Sequence, residues 1–296
     1  MVLQKKQQKF QQKQITKNKI SKAFSLIELS IVILIIGILV AGVTQSSRLV
    51  TQFRLLSARN MTQSSPVPTI KDLLIWVETT STKSFTQEEP SDNYPIEQWN
   101  DIDPVSLDRN NAIQNTESRK PIYRSNIWNG LPVVRMDGSK YMTFASQVLL
   151  KPVTVFTVTN VSSYVHVAIL GTSAYGLAIN MGPTGKFSPV QQNYNCIIPG
   201  PCEGTFTTTL KKFAIYSYQH NQAGVFSCYF NGNLDCSGTN NINFVNQNLH
   251  IGYNELGNNL FFQGDYAEII IYSRSLNNEE RQAVEQYLSR KWMIKG

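Results

Sequence analysis

A chain of 296 residues, 42% hydrophobic and 10% aromatic, holds enough apolar side chain for one large or two ordinary folded domains, which excludes a wholly disordered polymer. Its net charge of +7 looks suited to nucleic acid, but the excess sits at one end: Lys5, Lys6, Lys9, Lys13, Lys17, Lys19 and Lys22 all precede residue 24, with no Asp, Glu or Arg among them. Setting those lysines aside, the basic residues equal the 20 acidic ones, so the rest of the chain exerts no net pull on a polyanion and no nucleic-acid partner is expected.

At residue 24 the character changes within one position. Residues 24–43 read FSLIELSIVILIIGILVAGV, with Glu28 the single charge. As a helix, such a run reaches about 30 Å, the depth of a bilayer's hydrocarbon core. Lysines precede it and none follows until Lys71, so the N-terminus is expected on the cytoplasmic side, despite Arg48, Arg54 and Arg59. Three readings fit: a cleaved secretory signal, a plain anchor, or a span whose carboxylate has a use. The run exceeds the roughly 7–15 apolar residues of a secretory signal, and Val40-Ala41-Gly42 is a weak cleavage site. A carboxylate this near the start costs little if it reaches the interface, but needs a partner if it is drawn into hydrocarbon. Helical periodicity continues through Leu49, Phe53 and Leu56 with the arginines on other faces, and no proline occurs between residues 24 and 66. One unkinked helix is therefore expected from Phe24 to about Arg59. Ser64-Ser65-Pro66-Val67-Pro68 reads as part of a linker over 61–69.

The string Lys22-Ala23-Phe24-Ser25-Leu26-Ile27-Glu28-Leu29 resembles the class III signal of type IV pilins and type II secretion pseudopilins. The resemblance implies a basic leader over 1–23, cleavage between Ala23 and Phe24 by a prepilin peptidase/N-methyltransferase, and methylation of the new Phe24 amine. It also implies that Glu28, the fifth mature residue, pairs with the N-terminal ammonium of a neighbouring subunit during filament assembly. Ala23 stands where that family usually has glycine, which implies slower processing rather than none.

Residues 70–296 carry short β-branched and aromatic runs with turn signals between them. Strands are expected over 73–78, 132–137, 153–161, 165–170, 176–180, 213–219, 225–230, 249–253 and 266–272. Asn231-Gly232 marks a hairpin. No strand–helix alternation appears, which excludes a parallel α/β fold. Only the end turns helical: Asn277 precedes Glu280 by three, a capping-box spacing, and Val284, Tyr287, Leu288 and Trp292 then form one apolar face suited to covering a sheet.

Three blocks, Gly264-Asp265-Tyr266-Ala267-Glu268-Ile269-Ile270-Ile271-Tyr272, Arg274-Ser275-Leu276, and Glu279-Glu280-Arg281 with Tyr287-Leu288 and Lys291-Trp292, resemble the closing segment of bacterial concanavalin A-like lectin/glucanase (laminin G-like) domains. Asp72-Leu73-Leu74-Ile75-Trp76, Trp99-Asn100-Asp101 and Asn129-Gly130-Leu131-Pro132-Val133-Val134-Arg135-Met136-Asp137-Gly138 resemble its opening. The resemblance implies a mainly β, jelly-roll antiparallel sandwich with a C-terminal helix, behind a long N-terminal transmembrane α-helix. It fixes no ligand.

Four cysteines fall as Cys196-x5-Cys202 and Cys228-x7-Cys236. If the pilin-like signal places this domain in an oxidising compartment, two local disulfides are expected, the second across a hairpin with a three-residue loop, 231–233. A zinc site is the rival, and these spacings suit it poorly. His166, His220 and His250 are far apart and read as structural. The glucanase branch would need two carboxylates about 5–5.5 Å apart. Glu97, Asp101 and Asp103 are the nearest candidates, in a loop-like stretch, and Asp101, Asp103 and Asp108 are candidates for calcium. For carbohydrate, Trp128, Tyr175 and Tyr194 with Asn193 and Asn195 are the best-suited side chains. The expectation is a non-enzymatic pilin-like or pseudopilin subunit of a bacterial inner membrane, minor or tip-located, with no cofactor and no metal. Its partners are other pilin subunits and a carbohydrate or surface-protein ligand. The alternatives are a membrane-anchored glycan hydrolase, or an anchored binding protein that forms no filament.

Overall fold

The computed structural model describes residues 25–107, 109–145, 152–163, 167–172, 179–182, 184–189, 204–239, 248–255 and 260–295. Two compact units divide at Leu49, and the second spans Val50–Gly296. A single 38-residue helix, α1 (Leu26–Gln63), crosses the division. Its start follows local chemistry. The Ser25 hydroxyl accepts from Ile27 N at 3.3 Å and Glu28 Oε2 accepts from Ser25 N at 2.9 Å, a reciprocal pair that satisfies two backbone donors no helical carbonyl can reach. The most apolar 18-residue window of this helix has a mean hydropathy of 2.9, so it is long and apolar enough to cross a membrane.

Among the described residues of the second unit, antiparallel strands form two large sheets. Sheet A runs β13 (Asn233–Thr239), β12 (Val225–Phe230), β11 (Ala214–His220), β7 (Val153–Val161), β17 (Gln263–Tyr272), β5 (Leu131–Asp137) and β4 (Ile122–Trp128), and β1 (Leu73–Glu78) also pairs with β17. Sheet B runs β10 (Phe187–Pro189), β9 (Ile179–Met181), β8 (Val167–Thr172), β14 (Leu249–Ile251), β6 (Met142–Phe144), β3 (Ala112–Ile113) and β2 (Gln98–Trp99), with a separate hairpin of β15 (Tyr253–Asn254) and β16 (Leu260–Phe261). Side chains alternate across each strand. Ile75, Val77, Val155, Tyr216, Ile269 and Ile271 of sheet A meet Phe144, Ile169, Leu249 and Ile251 of sheet B in one core. Trp76, Phe156, Val158, Ile215, Ile270 and Tyr272 point the other way, where α2 (Asn278–Trp292) supplies Val284, Tyr287, Leu288 and Trp292, and α1 supplies Ala58. Asn277 and Glu280 close the capping box of α2 from both sides.

One irregularity decides what the outer layer contains. In β17, Tyr266 pairs with Thr159 but Glu268 pairs with Val158, so Ala267 is an extra residue. Such a bulge reverses the parity of everything after it. Asp265 and Glu268 therefore both lie on the helix side of sheet A, whereas strict alternation would have driven Glu268 into the sandwich.

Several expectations need correction. The segment 61–69 is not a free linker: the helix runs to Gln63, Val67 is fully buried, and Tyr272 donates its hydroxyl to Val67 O at 3.0 Å. The compact unit accordingly begins at Val50 rather than at residue 70. The hairpin at Asn231-Gly232 has a two-residue loop, because Phe230 pairs with Asn233. Positive φ at Asn231 (49°) and Gly232 (84°) fits the turn that matches strand twist. A bulge at Asp235 then brings Cys228 opposite Cys236, where they are bonded with Cα atoms 4.9 Å apart. Strand 249–253 breaks at Gly252 (φ 76°), which swings Tyr253 across sheet B. Gly171 permits this, since a Cβ there would lie 2.4 Å from Tyr253 O. The strand expected at 165–170 is observed as Val167–Thr172 and that at 176–180 as Ile179–Met181, with 164–166 and 173–178 outside the described residues.

Candidate functional site

Three places in the described structure carry chemistry beyond packing. The first is the start of α1. Glu28 is folded back on the backbone of Ser25, so its carboxylate sits at the helix N-terminus, where the helix dipole favours negative charge. Ala23 and Phe24 lie outside the described residues.

The second is a buried ionic cluster between α2 and sheet A. Lys291 Nζ is fully enclosed and donates to Glu78 Oε2 and Glu268 Oε2, both at 2.9 Å. Glu268 also accepts from Trp76 Nε1 and the Tyr287 hydroxyl on Oε1, and from Trp292 Nε1 on Oε2, each at 2.8 Å. Glu78 accepts from Thr80 N at 2.6 Å, Thr80 Oγ1 at 2.7 Å, and Ser81 N. Burial by itself would push the Glu78 carboxyl up, but Lys291 and the Thr80 donors hold it below the ordinary value. Burial, with the two carboxylates beside it, pushes the Tyr287 hydroxyl far up. With every member enclosed and paired, the cluster is a fastening, not a reaction centre. Sequence reading placed Trp292 correctly as a packing anchor but gave no role to Lys291, Glu268 or Glu78.

The third is a groove of about 470 Å³ on the helix side of sheet A, to whose lining neither helix contributes. Arg135, Asp265 and Asn160 stand side by side in register on β5, β17 and β7. Asp265 accepts from Arg135 Nε at 2.6 Å and Nη2 at 3.0 Å, and from Asn160 Nδ2 at 3.0 Å. Trp128 forms a wall, its ring 5.0 Å from that of Phe213 and its Nε1 donating to Trp292 O at 2.7 Å. Of the residues suited to carbohydrate, Trp128 is therefore placed beside a polar row that sequence reading did not connect with it. Tyr175, Asn193, Tyr194 and Asn195 lie outside the described residues, as do Cys196, Cys202, His166 and Asp108.

The other candidates resolve as follows. Asp101 Oδ1 accepts from Trp76 N at 3.0 Å and Asp103 N at 3.1 Å, and its Oδ2 from Asn110 N at 3.2 Å. Asp103 accepts from Val105 N at 2.9 Å. Both are buried loop fasteners, while Glu97 is exposed and paired with Lys120. Among the described residues no three His, Cys, Asp or Glu side chains converge as a metal cage would require. His220 is fully buried in β11, against Tyr218 and Phe226.

His250 lies under the β15–β16 hairpin, edge-on to Tyr141 and Tyr253, with Nδ1 2.9 Å from Thr143 Oγ1. Burial lowers its pKa to about 4. An unfolded histidine titrates near ~6.5, so between that pH and about 4 the unfolded chain takes up a proton the native chain refuses. Stability therefore falls as pH falls through this window, by up to about 3 kcal/mol from this group. Melting curves at pH 7 and 4.5 should show a larger drop for the native chain than for His250→Gln; equal drops would remove the assignment.

Comparison with known proteins gives a short sequence match and distant structural ones. Residues 18–44 match the prokaryotic N-terminal methylation motif. No curated protein matches the chain. Trypanosoma rangeli sialidase in complex with sialic acid superposes with a TM-score of 0.51 at 14% identity, over 77% of this chain and 34% of that one. The same sialidase with 2,3-difluorosialic acid gives 0.51 at 12% identity over the same shares. Domain 4 of the arabinanase AbnA from Geobacillus stearothermophilus, in complex with arabinotriose, gives 0.45 at 15% identity over 58% of this chain and 83% of that one. This chain spans about a third of the sialidase's length, and at these identities the likeness speaks for the jelly-roll sandwich alone. The class is thus an antiparallel jelly-roll sandwich behind a membrane-capable helix. The matched segment is the type IV prepilin methylation motif, which implies processing by a prepilin peptidase and assembly with other pilin subunits.

Proposed function

We propose that this chain is a minor, tip-located pilin-like or pseudopilin subunit that displays its sandwich for glycan or surface-protein recognition and is not an enzyme. The match of residues 18–44 to the methylation motif, with Glu28 fifth from Phe24, carries the reading. The lysine-rich leader stays in the cytoplasm, α1 spans the inner membrane, and the sandwich faces the periplasm. Cleavage before Phe24 creates an ammonium at the helix end where Glu28 already sits. In a filament that carboxylate pairs with the ammonium of the adjacent copy, which makes burial of both tolerable. A unit spanning Val50–Gly296 is bulky for the main repeating subunit, which favours a minor place.

The hydrolase alternative is disfavoured because Asp101 and Asp103 are engaged by backbone N–H groups and Glu97 by Lys120. Mass spectrometry of the protein from native membranes tests the reading. A chain beginning at N-methyl-Phe24 is expected; an intact leader would reduce the protein to an anchored sandwich.

A further inference from the structure

We propose that the groove between Trp128 and Lys211 binds a neutral glycan chain. This rests on the recognition reading above and gives that reading a place. The Arg135–Asp265–Asn160 row is a line of donors and acceptors set at strand spacing, and each member is held by its neighbour. Asn160 both donates to Asp265 Oδ2 at 3.0 Å and accepts from Asp265 N at 3.2 Å. Side chains already fixed lose little conformational freedom when a ligand arrives. The Arg135 side chain remains 36% exposed although two of its nitrogens are engaged, so it presents further donors to the groove. Gly264 also lines the groove, and the residue there must be glycine because β7 approaches closely: a Cβ would fall 2.1 Å from Asn160 O.

Charge selects the class of ligand. Arg135 is paired with Asp265, and the groove's lining further includes Lys211 and Asp137, so its four charged side chains are two cations and two carboxylates. A lining with no net charge does not favour a phosphate or carboxylate polymer, which an excess of Arg and Lys would serve. Alternating donors and acceptors beside a fixed indole suit hydroxyl groups around a ring with an apolar face. Trp128 cannot swing away, because Trp292 O and Phe213 hold it.

Lys211 supplies a second, independent sign. Its φ of 61° puts a long side chain in the left-handed region, a strain that costs of order 1–3 kcal/mol and clusters at binding sites. Its amide donates to Val161 O at 2.8 Å, which fixes the strained residue at the groove's edge.

The full chain, in a zwitterionic detergent free of sugar, is tested on a panel of neutral hexose and N-acetylhexosamine tetrasaccharides printed beside uronic-acid-containing counterparts. The tightest binder is then titrated into Lys211→Gly and Arg135→Lys. Lys211→Gly relieves the backbone and should melt no lower than the native chain. Arg135→Lys keeps a cation beside Asp265 but loses the planar fork. Binding of a neutral member, weakened about tenfold or more by each substitution, is the expected result. Neutral binding untouched by both substitutions overturns the groove and leaves the recognition reading standing. A preference for the acidic members overturns the neutral class. Binding to no member removes the glycan reading itself.

Discussion

Lys291→Met is expected to destabilise the sandwich unit by about 3–5 kcal/mol, the range found when one partner of a buried ion pair is removed. The reason is specific to this cluster. Lys291 is the cation between two enclosed carboxylates, and the remaining donors to them (Trp76, Trp292, Tyr287, Thr80, Ser81 and Ser84) carry no charge. Without the ammonium, Glu78 and Glu268 repel each other in a medium that screens them poorly. The pH dependence should also change sign. In the native chain the depressed Glu78 pKa contributes stability above the unfolded carboxylate pKa, and this is lost as pH falls through the folded value. In Lys291→Met a carboxyl is expected to titrate above its unfolded value, so mild acid should restore part of the loss. Adding Glu268→Gln to Lys291→Met should recover stability relative to the single variant. Near-ultraviolet circular dichroism reads the transition directly, because Trp76 and Trp292 both touch Glu268. A loss under about 1 kcal/mol would show that the cluster adds little beyond packing.

Glu28→Leu is expected to reduce incorporation into filaments at least about a hundredfold while leaving the protein in the membrane, since breaking a buried pair costs several kcal/mol. Insertion should be unimpaired or improved, because leucine favours the bilayer and a carboxylate does not. The helix loses the bond from Ser25 N to Glu28 Oε2, a capping effect of about 1 kcal/mol that a helix of 38 residues can absorb. Comparison of sheared filaments with carbonate-extracted membranes separates the two effects. Normal incorporation of the leucine variant would end the pairing proposal, and loss of the protein from the membrane would assign Glu28 to anchoring.

Both results bear on how far this protein can be read from its residues. The first segment is legible because its chemistry is local. A lysine-rich stretch, an abrupt apolar run and one carboxylate at a fixed distance from Phe24 identify the methylation motif without any fold. Long strands such as β7 and β17 were legible from β-branched runs. Strands of two or three residues, such as β2, β3, β6 and β10, are too short to show a period. Pro66 and Pro68 read as linker because proline ends helices, and only Tyr272, far along the chain, shows that the segment is packed down.

What the sequence by itself determined is therefore the order of parts: leader, apolar helix, sandwich, capped terminal helix. Tertiary structure alone decided the polar assemblies. Arg135 and Asp265 are 130 positions apart, and Lys291 and Glu78 213 apart. Lys291, near the end of a helix, looks like any solvated lysine, and Glu268 faces it only because one extra residue at Ala267 reverses the alternation of β17. Periodicity and capping act within a turn or a strand. Burial and charge pairing depend on which distant segments meet, and that is set by sheet register rather than by neighbours in the chain.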